Sequence, residues 1–130
     1  MNGRLTGLLL AGATLLAACG SDGNPPTAES VCGKFSSEWP SVLAKVQTGC
    51  APITTNLAPY TRLTDAQTCT AVVTTSCSPD IPKIDTFLDC MNGLPACDAS
   101  NVETWGNTCF TQVSGPSGPS RACLAALTAQ

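Results

Sequence analysis

The chain has 130 residues, six Lys/Arg against nine Asp/Glu (net charge −3), nine cysteines and no histidine. That length suits one domain, and the mild acidity without any basic run excludes an electrostatic nucleic-acid binder. The missing histidine excludes Ser-His-Asp and Cys-His catalysis and any zinc site that needs an imidazole.

Met1–Arg4 carries one positive charge, and Leu5–Leu16 is an apolar run of twelve residues, too short to span a bilayer as a helix. It closes in Leu16-Ala17-Ala18-Cys19, a leucine three before a cysteine with two small residues between them. This segment resembles the lipobox of bacterial lipoproteins. The resemblance implies lipidation of Cys19, its sulfur alkylated by diacylglycerol, with the chain cut just before it. Burial of each CH2 contributes roughly 0.8 kcal/mol, so one acyl chain binds marginally and two or three anchor stably. By analogy with enteric sorting, Gly20 in place of aspartate points to the outer membrane rather than the inner. The expected division is 1–18 as leader, 19–30 as lipidated cysteine and flexible tether, and 31–130 as a folded domain. Without Arg4 the basic residues are Lys34, Lys45, Arg62, Lys83 and Arg121, and the net charge is −4.

Setting Cys19 aside leaves Cys32, Cys50, Cys69, Cys77, Cys90, Cys97, Cys109 and Cys123. An even number in an exported chain implies four disulfides, with 105 possible connectivities. A metal site is disfavoured because no Cys-x-x-Cys pair exists. Aromatic residues are few, so a core of this size needs covalent help.

Gly20–Ser30 is polar and aperiodic and reads as a spacer. From Val31, residues Val31, Cys32, Phe35, Trp39, Val42, Leu43 and Val46 share one face of a helix, with Lys34, Ser37, Ser41 and Lys45 opposite. Pro40 interrupts the run and predicts a kink, and Gly49 suits a C-terminal cap. Cys50–Arg62, with two prolines, reads as a crossing loop. Thr64-Asp-Ala-Gln67 predicts a capping box for a helix carrying Ala66, Cys69, Val73 and Cys77. Eight helical residues span about 12 Å, so Cys69 and Cys77 should not pair with each other.

Pro79 or Pro82 opens the next helix, whose buried stripe is Ile84, Phe87, Leu88 and Met91. Asn92-Gly93-Leu94 predicts a Schellman end before Pro95. Ser100-Asn-Val-Glu103 predicts another capping box, followed by a face of Val102, Trp105, Cys109 and Val113. Gly115–Pro119 breaks the chain before a last helix with Cys123, Ala126 and Leu127. No strand alternation persists. The expected fold is a small disulfide-rich all-α domain of about four to five short helices.

Chemistry-bearing patterns are scarce. Asp85 and Asp89, four apart on one helix face with Asp80 near its start, form a pair that could hold a cation, though a solvated face opposite the apolar stripe accounts for them more simply. Neither Ser-x-x-Lys nor a phosphate-cradling glycine pattern occurs. Trp39 and Trp105 lie in apolar stripes and read as core. No catalytic residue, metal or cofactor is assigned, and no enzyme activity is expected. Plant lipid-transfer proteins share eight cysteines and helices, but their adjacent Cys-Cys and Cys-x-Cys are missing here. The lipobox ahead of a Cys-, Thr- and Ala-rich helical domain looks like the small lipoproteins common in myxobacteria. These features imply a lipid-anchored envelope protein with a structural or binding role and an unidentified partner or ligand. The alternative is a secreted-type inhibitor or small-ligand module contacting its target through Cys50–Arg62 or Gly93–Ser100, with Pro59-Tyr60 and Leu94-Pro95 as exposed contact points.

Overall fold

In a computed structural model, residues 23–46 and 49–129 are described. The leader, Cys19 and the first part of the tether lie outside them. The molecule is a small disulfide-rich all-α domain, with no strand among the described residues. Its helices are α1 (Ala28–Val46), α2 (Ala51–Leu57), α3 (Ala66–Ser76), α4 (Ile81–Gly93), α5 (Val102–Asn107), α6 (Phe110–Ser114) and α7 (Arg121–Thr128), with 3-10 segments at Ala58–Thr64 and Ser78–Asp80.

Helix α1 is the central element and packs against α3, α4 and the 58–64 segment. It starts three residues inside the stretch read as tether. Thr27 and Ser30 cap it reciprocally: the Ser30 amide donates to Thr27 Oγ1 (3.1 Å) and the Thr27 amide to Ser30 Oγ (2.8 Å). Serine at the third helical position thus does the work that glutamate does in the usual capping box. The stripe Val31, Cys32, Phe35, Trp39, Val42 and Val46 is buried, while Leu43 is half-buried. Pro40 is exposed, and the helix runs through it without a break. Its missing amide therefore lies on the solvent side of the helix, where an unpaired carbonyl is least costly.

The reading of Cys50–Arg62 as a loop is corrected. Pro52 and Pro59 occupy first-turn positions of α2 and of the 58–64 segment, where a missing N–H costs nothing. Ile53, Leu57, Tyr60 and Leu63, spaced at helical intervals, are buried. These two segments, and the division of the 102–114 region into α5 and α6, add to the helices foreseen. The cap of α3 is Asp65, whose carboxylate accepts from the Thr68 amide at 2.8 Å, rather than Thr64. Cys69, Val73 and Cys77 are buried but Ala66 is exposed. Pro82 opens α4, and Ile84, Phe87, Leu88 and Met91 form its buried stripe.

The Schellman end expected at Gly93 does not form, because no described residue has a left-handed φ; the cap expected at Gly49 involves residues 47–48, which lie outside the described residues. Gly49 is needed for a different reason: a Cβ there would lie 2.7 Å from the Cys97 carbonyl oxygen. That close approach lets the Cys97 amide donate to the Lys45 carbonyl (2.8 Å) and close the end of α1. Gly118 is tighter still, since its Cβ would meet the Val113 carbonyl at 2.3 Å.

The core holds a chain of tilted rings. Trp39 lies 5.5 Å from both Phe35 and Tyr60, and Phe87 links Tyr60 (5.9 Å) to Phe110 (5.8 Å). Such pairs contribute about 0.5–1.5 kcal/mol each beyond burial.

Two glycine substitutions should act in opposite directions. Gly49→Ala forces the 97–98 backbone away and should cost about 1–3 kcal/mol. Gly33→Ala, in exposed mid-helix with nothing within 4 Å, should stabilise by about 0.5–1 kcal/mol. Urea midpoints of the two variants against the parent chain check both signs.

Candidate functional site

The eight cysteines assigned to disulfides all pair. The bridges are Cys32–Cys69, Cys50–Cys97, Cys77–Cys123 and Cys90–Cys109, with Cα separations of 5.6, 5.9, 4.7 and 5.7 Å. They join α1 to α3, the start of α2 to the loop after α4, the end of α3 to α7, and α4 to the start of α6. Cys69 and Cys77 take different partners, as the helix geometry requires.

The paired carboxylates of α4 do not face an open ion site. Lys34 Nζ from α1 sits 2.7 Å from Asp85 and 2.5 Å from Asp89, filling the position a cation would take. Burial alone would lower the Lys34 ammonium. The two hydrogen bonds and both negative charges more than offset it, leaving the group above the ordinary lysine value. Among the described residues no cluster of three or more His, Cys, Asp or Glu could hold a metal ion.

Asp80 is the one buried charged residue among those described. One carboxylate oxygen accepts from Lys83 Nζ (3.0 Å) and the other from the Ser120 amide (2.9 Å); Lys83 also donates to the Gly118 carbonyl (2.8 Å). This cluster locks the 118–120 turn onto the start of α4. Burial would raise the Asp80 carboxyl, yet the Ser120 hydrogen bonds and the Lys83 ammonium hold it below the usual carboxylate range. Sequence gave one usable hint, the i,i+3 spacing of Asp80 and Lys83; nothing local points to residues 118–120.

Two further basic residues close helix ends. Lys45 Nζ donates to the carbonyls of Asn92 (2.6 Å) and Leu94 (2.9 Å) at the end of α4, and Arg62 donates to the Ala126 carbonyl in the last turn of α7. A cation at the negative end of a helix is favourable. With Lys34 facing the middle of α4 and Lys45 its end, α1 and α4 run in the same direction.

The loop from Leu94 to Ser100 is held from within. Pro95 and Ala96 turn their carbonyls to Trp105 Nε1 (3.0 Å) and Asn101 Nδ2 (2.9 Å). The Asp98 carboxylate accepts from the Ser100 amide (2.7 Å), the Ser100 hydroxyl (2.5 Å) and the Asn101 amide (3.2 Å). The Ser100–Glu103 capping box is therefore replaced by an aspartate-centred turn. Two expected contact points are corrected: Tyr60 and Leu94 are buried, Tyr60 in the ring chain and Leu94 against the core. Burial raises the Tyr60 hydroxyl above its usual value. The exposed side chains of the loop are Pro95, Ala96, Asp98, Ala99 and Ser100, and the carbonyls of Leu94, Pro95, Ala96 and Asp98 are already engaged. Trp39 and Trp105 are both core residues.

No helix among the described residues is long and apolar enough to cross a membrane. No protein-family model, curated protein or solved structure matches the chain.

Asp65, Asp80 and Asp98 all have lowered carboxyls in the folded state. Their contribution is full above the unfolded-state value, near pH 4, and is lost as pH falls through the folded values. Stability should therefore be flat near neutrality and decline in acid. Asp80→Asn should cost about 1–3 kcal/mol at pH 7 and make the acid decline shallower. Urea unfolding of both chains between pH 7 and pH 2 checks this.

Proposed function

We propose that the chain is a lipid-anchored lipoprotein of the bacterial cell envelope, held at the outer membrane through Cys19, with a non-catalytic structural or binding role. The observation that carries this reading is the pairing of all eight remaining cysteines into four bridges. Such a density of disulfides belongs in an oxidising compartment. It also leaves Cys19, in its Leu-Ala-Ala-Cys setting, as the one cysteine without an assigned bridge.

The basic side chains support the non-catalytic half of the proposal. Lys34, Lys45, Arg62 and Lys83 are each engaged with carboxylates or carbonyls inside the domain. The anchor would be short: Cys19 to the Thr27 cap is eight residues, a reach of at most about 30 Å. The domain would stay within about that reach of the lipid surface.

Replacement of Cys19 by serine tests the anchor. The parent chain should sediment with membranes, partition into detergent and incorporate an alkyne-tagged fatty acid; Cys19→Ser should lose the label. A parent chain that stays in the aqueous phase with Met1 still present would refute the proposal.

A further inference from the structure

We infer that Cys90–Cys109 is a redox latch, opened selectively by a dithiol donor while the other three bridges stay closed. Cys90 is only partly buried, whereas the other seven bridged cysteines are buried, none more than 4 % exposed. Thiol–disulfide exchange needs an incoming thiolate to reach a sulfur from outside. At the six sulfurs of the other bridges that requires the fold to open first. At Cys90 it does not. The Cys90 sulfur lies 3.6 Å from the Gln112 side-chain amide. Gln112 in turn lines, with Thr86, Lys83 and Ser117, a surface groove of about 260 Å³ beside α4. A donor seated in that groove would lie one side chain, Gln112, away from the Cys90 sulfur.

What the bridge holds is suited to release. It closes the shortest loop, 19 residues against 37, 47 and 46 for the others. Within and beside that loop, α5 and α6 are six and five residues long, and neither has a side-chain N-cap. Helices that short do not persist without tertiary support. The flanks stay fastened: Cys97 remains tied to Cys50, Cys123 to Cys77, and the Ser120 amide to Asp80. Opening therefore frees a bounded segment rather than the domain. It also lets Phe110 leave Phe87, its neighbour at 5.8 Å, and so uncovers an apolar face between α4 and α6.

The exchange balances as two displacements. A thiolate of the donor attacks Cys90 Sγ, forming a mixed disulfide and expelling the Cys109 thiolate, which takes up a proton. The donor's second thiol then attacks its own sulfur in that mixed disulfide and releases Cys90. The donor leaves as a disulfide, and two electrons have passed to the Cys90–Cys109 pair.

The full oxidised chain can be titrated with dithiothreitol, pulse-alkylated, and read by peptide mass spectrometry together with far-ultraviolet circular dichroism. Cys90 and Cys109 should be alkylated on the order of tenfold faster than any other pair, with helicity largely kept. Reduction of another bridge first, or of all four together, would overturn the latch. A chain carrying Cys90→Ser and Cys109→Ser should lose the early alkylation step and exchange amide hydrogens faster across 98–118. Unchanged protection there would also count against it. If that variant does not fold, the alkylation order in the parent chain decides alone.

Discussion

The bridge from Cys50 to Cys97 crosses each of the other three in sequence, and the arrangement of the domain depends on that crossing. Cys50 stands at the start of α2 and Cys97 in the loop behind α4, so one bond brings together segments 47 residues apart. The same contact places the Cys97 amide on the last turn of α1 and requires Gly49 to have no side chain. In the chain-entropy picture each such closure stabilises by about 3–4 kcal/mol. Helices of five to eight residues would not hold together on the strength of a core with one short chain of rings. The cross-links let them do so.

Electrostatics completes what the bridges begin. No described residue has the left-handed φ of a glycine cap, and long basic side chains from neighbouring elements close helix ends instead. Lys45 closes α4 and Arg62 closes α7, while Lys83 holds the 118 turn. Each of these bonds joins two elements as well as satisfying a carbonyl. Fixing helix ends and fixing tertiary arrangement are thus one act. The scarcity of charge on the chain is consistent with charges that work inside the domain.

The apolar stripes of α1 and α4 were legible because long helices repeat their pattern often enough to be counted. The partners of Cys69 and Cys77 could be narrowed, since helix rise forbids their joining. The helical character of 51–64 was hidden by Pro52 and Pro59, which mark helix starts as readily as breaks; the spacing of Ile53, Leu57, Tyr60 and Leu63 was the better signal. The start of α1 fell three residues ahead of the expected place, and the cap of α3 one residue after it. The Lys34 clamp, the Lys45 cap and the Asp80–Ser120 lock join residues 40 to 55 positions apart. Such pairings follow from the packing of helices, and no local pattern announces them.

The overlap of the bridges has a last consequence, for survival among proteases. Every peptide bond between Cys32 and Cys123 is spanned by at least one cross-link, because 32–69, 50–97 and 77–123 overlap end to end. A single backbone nick anywhere in that stretch leaves both fragments covalently joined, and nothing is shed. Only a cut ahead of Cys32 or beyond Cys123 parts the chain, and the first of these would set the whole domain adrift from its N-terminus.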